Sequence, residues 1–168
     1  MKTVYFFLLF SLPLLTADLF AQNETVRQLI SLEGIQEIGF TATLEGSRTV
    51  TSDKNLTPSN IRQAVIEELI NNDIKFADDE EVRSSVEIPF LYMHINMLEL
   101  ENGLIPFSIE LRLYQPVKLS LNRDLETSAS TWESGMVGIV SLDRISLIRE
   151  AALNEVLTFI DDYHSANR

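Results

Sequence analysis

The chain has 168 residues, with 13 Lys and Arg against 25 Asp and Glu, and carries a formal charge of −12. That balance argues against nucleic-acid binding, which needs clustered cations to neutralise phosphates. Apolar residues make up 45% and charged residues 23%, a globular composition, and the length suits one domain.

Residues 1–21 read as a secretory signal peptide. Lys2 supplies a positive start, Val4 to Leu15 form an apolar run broken by Ser11 and Pro13, and Leu19-Phe20-Ala21 offers a cleavage site. The run is shorter than the roughly 20 apolar residues that cross a bilayer. Residues 22–168 then form a single exported domain. The chain contains no Cys, so its stability cannot come from disulfides, and the thiol through which bacterial lipoproteins are lipidated is missing. The expectation is a soluble periplasmic or secreted bacterial protein with no stable membrane anchor after signal cleavage.

From Ile35 to Leu44, Ile38, Phe40, Ala42 and Leu44 alternate with Gly39, Thr41 and Thr43, the period of a half-buried strand. Thr57-Pro58 then opens a helix to about Asn71: Thr57 can accept from free amides, and Pro58 at the first helical position loses no hydrogen bond. Its apolar stripe is Ile61, Ala64, Val65 and Leu69, with Ile66 and Ile70 beside it, and Asn71-Asn72-Asp73 is the stop. Ile74-Lys75-Phe76 reads as a short extended piece before the acidic run Asp78-Asp79-Glu80-Glu81.

Three strands come next. Val86 to Leu98 places Leu91, Met93, Ile95 and Met97 on one side and Tyr92, His94 and Asn96 on the other. Glu101-Asn102-Gly103 supplies hairpin chemistry. From Ile105 to Leu121 every odd position except Gln115 is apolar, a pattern no helix produces. Phe107, Ile109, Leu111, Leu113, Val117, Leu119 and Leu121 are its inward side chains, each worth about 1.5–3 kcal/mol when buried. Pro116 cannot donate to a ladder, so a bulge or bend is expected there. A third strand spans about Glu126 to Trp132, and Gly135 and Gly138 loosen the segment beyond it. The last element is a helix from Leu142 to Tyr163, capped by Ser141 or Asp143, with Ile145, Ile148, Ala152, Val156, Phe159 and Tyr163 on one stripe, widened by Leu153, Leu157 and Ile160. The order β-α-β-β-β-α predicts an α+β two-layer sandwich, an antiparallel four-stranded sheet with both helices on one face.

Leu32-Glu33-Gly34-Ile35, Ile88-Pro89-Phe90-Leu91-Tyr92, Thr131-Trp132 and Phe159-Ile160-Asp161-Asp162-Tyr163 together resemble an uncharacterised family of small exported bacterial proteins. The resemblance covers most of residues 22–168 and brings no catalytic residue with it. At the level of element order, the chain is also similar to LptE-like envelope accessory domains, the lipopolysaccharide-transport lipoproteins. Those are anchored through a Cys that this chain lacks.

The candidate binding residues are Tyr92, His94 and Asn96, with Glu110, Arg112 and Tyr114 brought to the same face by hairpin pairing, and Trp132, the single Trp, which either anchors a partner or packs at a sheet edge. His94 with Glu110 could act as an acid/base pair near neutrality. The bland reading of the same face is a solvated surface of cross-strand pairs. The run 78–81 lacks the alternating ligands and central Gly of a calcium loop, and Asp161, Asp162 and His164 are too few to make a metal site. No Gly-x-Ser-x-Gly elbow and no phosphate-binding Gly-rich loop occurs. No catalytic residue, metal or cofactor is therefore assigned. The functional expectation is a noncatalytic binding or assembly-accessory module of the bacterial envelope, meeting an envelope protein through this face or an open sheet edge. The alternatives are a small periplasmic hydrolase using His94 with a nearby carboxylate, and a structural homodimer formed across the polar face.

Overall fold

The computed structural model describes residues 25–47, 50 and 56–168; the signal-peptide expectation lies outside them. After a helical turn at 25–30, the order is β1 (Glu37–Glu45), α1 (Pro58–Asn71), β2 (Lys75–Phe76), α2 (Asp79–Ser84), β3 (Phe90–Met97), β4 (Leu104–Lys118), β5 (Glu126–Ser141), a short 3-10 turn (Leu142–Arg144) and α3 (Ser146–Ala166). The fold is α+β with one five-stranded sheet, ordered β2-β1-β3-β4-β5.

The sheet differs from a four-stranded antiparallel one in two ways. Lys75–Phe76 pairs with Glu37 and Ile38 as a fifth strand, and β1 runs parallel to both β2 and β3. A parallel neighbour requires a crossover of a dozen or more residues, and α1, β2 and α2 supply it between β1 and β3. Only β3-β4 and β4-β5 are antiparallel. β1 and β3 also begin later than the alternation suggests, at Glu37 and Phe90, and Val86 is exposed.

α1 begins as expected: the Thr57 side chain accepts from the Asn60 amide and Pro58 occupies the first turn. Its stripe of Ile61, Ala64, Val65 and Leu69 is buried, whereas Ile70 faces out. At its end Asn72 is the cap, and Asp73 rather than an Asn takes the left-handed conformation, at φ 58°. α3 buries Ile148, Ala152, Val156, Phe159 and Ile160. No side chain caps its start, where the 3-10 turn intervenes. Both long helices cover the face that carries Ile38, Phe40, Leu91, Met93, Ile109, Leu111 and Trp132.

Strand β4 holds the expected alternation only as far as the helices reach. Phe107, Ile109, Leu111 and Leu113 are buried, Val117 is half-buried, and Leu119 and Leu121 lie past the strand end in solvent. The register shift falls between Leu113 and Tyr114 rather than at Pro116, because Thr131 on β5 is the extra residue: Leu113 opposes Trp132 and Tyr114 opposes Ser130. Pro116 stays in the ladder, opposite Ser128.

β5 does not stop at Trp132 but continues to Ser141. Gly135 and Gly138 are part of it, and both are places of close approach. A Cβ at 138 would lie 2.6 Å from the Phe107 ring, and one at 135 would lie 2.6 Å from the Ile109 carbonyl. The glycines that suggest a loosened segment in the sequence are what let β5 pack against β4.

Candidate functional site

The helix-free face of β3 and β4 is built by a direct consequence of antiparallel register. Phe90 opposes Tyr114, Tyr92 opposes Arg112, His94 opposes Glu110 and Asn96 opposes Ser108, so alternate residues from both strands stand side by side. Six of the seven sequence-predicted site residues, Tyr92, His94, Asn96, Glu110, Arg112 and Tyr114, therefore share one surface. The seventh does not. Trp132 points into the core at 1% exposure, edge-to-face with Phe159 at 5.1 Å between ring centroids. Its indole N–H is satisfied by Asp162 Oδ2 at 2.9 Å, so Trp132 packs within the core.

On the shared face the rings form a connected row. Phe90 stacks on Tyr114 at 5.4 Å and 15°, Tyr114 meets Tyr92 edge-on at 6.4 Å, and Tyr92 stacks with His94 at 6.3 Å and 19°. Phe90 is not among the sequence-predicted residues, although it precedes Tyr92 and His94 at the same two-residue step. One flank is closed by α2, where Val82 sits over Gly39, a position whose missing Cβ leaves room for it. Phe40, Thr41, Asp79, Val82, Arg83 and Phe90 line a cavity of about 300 Å³ there.

α2 itself explains the acidic run. Asp78 accepts from the amides of Glu80 and Glu81 while Glu81 reaches back to the Asp78 amide, a reciprocal cap that uses the carboxylates structurally. No group of three or more His, Cys, Asp or Glu among the described residues is arranged to hold a metal ion.

The other flank is charged. Arg112 pairs with Glu110 at 2.8 Å and with Glu133 of β5 at 3.5 Å. Hydrogen bonding to Tyr114, followed by the Glu110 charge, holds the guanidinium above its ordinary value, so Arg112 is a fixed cation. A shallow depression of about 360 Å³ lies alongside, lined by Gln28, Glu110, Arg112, Glu133, Ser134 and Gly135. Glu133 is not visible as a partner in the sequence, because the strand expected there ends one residue before it.

These contacts bear on the acid/base reading. Glu110 is engaged by Arg112, and His94 leans the other way, its Nε2 lying 3.4 Å from Glu45 Oε1 without hydrogen-bond geometry and shielded from solvent. His94 lines neither the cavity under α2 nor the depression beside Arg112. The face presents a row of rings beside a cation paired with two carboxylates.

No protein-family model and no curated protein matches the sequence. Among solved structures, the PelC dodecamer from Paraburkholderia phytofirmans is similar at 13% identity and a TM-score of 0.43, over 75% of this chain and 87% of that one. That degree of likeness is below the level from which a shared fold follows. Among the described residues no helix is long and apolar enough to cross a membrane.

Proposed function

We propose that the chain is an exported, noncatalytic binding or assembly-accessory module of the bacterial envelope, and that it meets a protein partner through the outer face of β3 and β4. The observation that carries this reading is the row Phe90, Tyr114, Tyr92 and His94 beside Arg112, left uncovered by the two long helices. Such a face offers large, rigid contact area at low entropic cost, with a cation that stays charged at every physiological pH. The hydrophobic core lies on the opposite side of the sheet, and none of these rings belongs to it.

Crosslinking in intact cells followed by mass spectrometry tests it. Tyr92→Ala with Arg112→Ala should lose a partner that the wild-type chain captures repeatedly, while a control at exposed Val86 keeps it. Unchanged capture by the double variant, or no reproducible envelope partner for the wild type, overturns the reading.

A further inference from the structure

We infer that the free edge of β5 pairs with the same edge of a second copy of this chain, joining two sheets into one through residues 135–139. Other parts of the sheet's edges carry guards. β2 is only two residues long, and beyond it the open Phe40 carbonyl accepts from Arg62 at 2.8 Å. At the start of β5, the bulge at Thr131 breaks the edge, the Ser31 hydroxyl donates to the Thr131 carbonyl at 3.0 Å, and Gln28 accepts from the Glu133 amide.

The guard then ends. The Glu133 amide faces away from β4, and the two-residue repeat carries that direction to the backbone groups of Gly135, Val137 and Ile139. Among the described residues, no hydrogen bond from another segment reaches them. Their side chains are also on the open face, Val137 81% and Ile139 58% exposed. Proteins usually protect an edge with Lys, Pro, a bulge or an inward charge. Ser134 to Leu142 contains none of these and no ionisable residue at all.

A second copy is the occupant that the charge and shape favour. Two chains of charge −12 repel, so they approach most readily along a strip free of carboxylates, and the two that flank it on the open face, Glu133 and, across from Gly135, Glu110, are both countered by Arg112. A basic partner would instead gain most from the acidic surface elsewhere. The edge is also complementary to itself. With antiparallel pairing about a two-fold axis at Val137, Val137 meets its own copy and each Ile139 faces the partner's Gly135, where no side chain competes for space. That axis stands perpendicular to the sheet, so the outer faces of both copies look the same way. On the reading proposed above, a dimer presents two ring platforms side by side. The pairing itself can be tested without any partner.

The absence of Cys allows a clean test. In a hydrogen-bonded antiparallel pair the Cα atoms are roughly 5.5 Å apart, within disulfide reach. Val137→Cys should therefore link to itself on mild oxidation much faster than Thr41→Cys, an exposed position on β1. Light scattering of the purified wild type should give twice the monomer mass, and Val137→Lys, with an unchanged circular-dichroism spectrum, should halve it. A monomeric wild type over the whole concentration range, equal oxidation of the two Cys variants, or a Val137→Lys protein that stays dimeric overturns the inference.

Discussion

The Trp132 indole donates to Asp162 Oδ2 at 2.9 Å, tying the innermost residue of β5 to the last turns of α3. Trp132 is almost fully buried and Asp162 half-buried, so the bond is shielded at one end and wet at the other. Asp162→Ala leaves a buried donor without a partner and is expected to cost about 1–3 kcal/mol. Asp162→Asn retains an acceptor and should recover most of that loss. Denaturant titration followed by the emission of Trp132, the single Trp, reads both; equal stability of all three proteins would show that the bond contributes nothing.

Much of this architecture is legible in the sequence because burial is periodic. The odd positions of β4, the Thr57-Pro58 helix start and the stripe of α3 all arise from a face that must avoid water. What escapes a sequence reading is set by partners distant along the chain. Whether β1 runs parallel or antiparallel to β3 depends on the path between them, and alternation is the same either way. β5 reads too short because glycine looks like a loop residue until Phe107 is found lying across position 138. For the candidate site, alternation and hairpin pairing are enough to gather Tyr92, His94, Arg112 and Tyr114. They cannot tell that Trp132 sits on the opposite face, nor supply Glu45 and Glu133, whose positions depend on the register of neighbouring strands.

The contact between Gly138 and Phe107 has its own test. Any Cβ at 138 meets the ring at 2.6 Å, and the ring is held by the core behind it, so Gly138→Ala should destabilise by about 1–3 kcal/mol through overpacking. Phe107→Leu alone should also destabilise, by leaving space unfilled. The two together should be less harmful than the sum of the parts, because the smaller side chain makes room for the methyl. A double-mutant cycle by thermal or urea unfolding measures the coupling; strict additivity would mean that the two positions do not touch in solution.

Gln115 breaks the apolar alternation of β4 for a structural reason. Its Nε2 donates to the Ser31 carbonyl at 2.8 Å and to Thr131 Oγ1 at 2.7 Å, so one side chain fixes both the N-terminal turn and the bulge in β5. Leu32, next to Ser31, is fully buried, and Asn167 holds the same turn from the end of α3 by donating to the Leu32 carbonyl at 3.0 Å. Replacing Gln115 by Leu restores the sequence pattern but removes both bonds, each worth about 0.5–1.5 kcal/mol. The expected outcome is faster amide exchange and proteolysis around residues 28–34, with the β3-β4 ladder unaffected. Protection unchanged at residues 28–34 would show that the tether is dispensable.

Asp143, at the β5-α3 junction, is expected to make a small acid-sensitive contribution to stability. The Ser141 hydroxyl, and after it the backbone amide of Asp143 itself, holds this carboxyl below its ordinary value of 3.8. A depressed folded-state pKa means that the unfolded chain binds the proton more readily. The contribution to stability is therefore complete above about pH 4, and it disappears as pH falls through the folded-state value. The group is exposed, so the effect is small and screened by salt. Ser141→Ala should move the Asp143 titration upward toward 3.8 in a carbon-detected NMR titration. The same variant should melt slightly below the wild type at neutral pH, with the gap closing in strong acid. An unchanged Asp143 titration in Ser141→Ala would place the cause of the depression elsewhere.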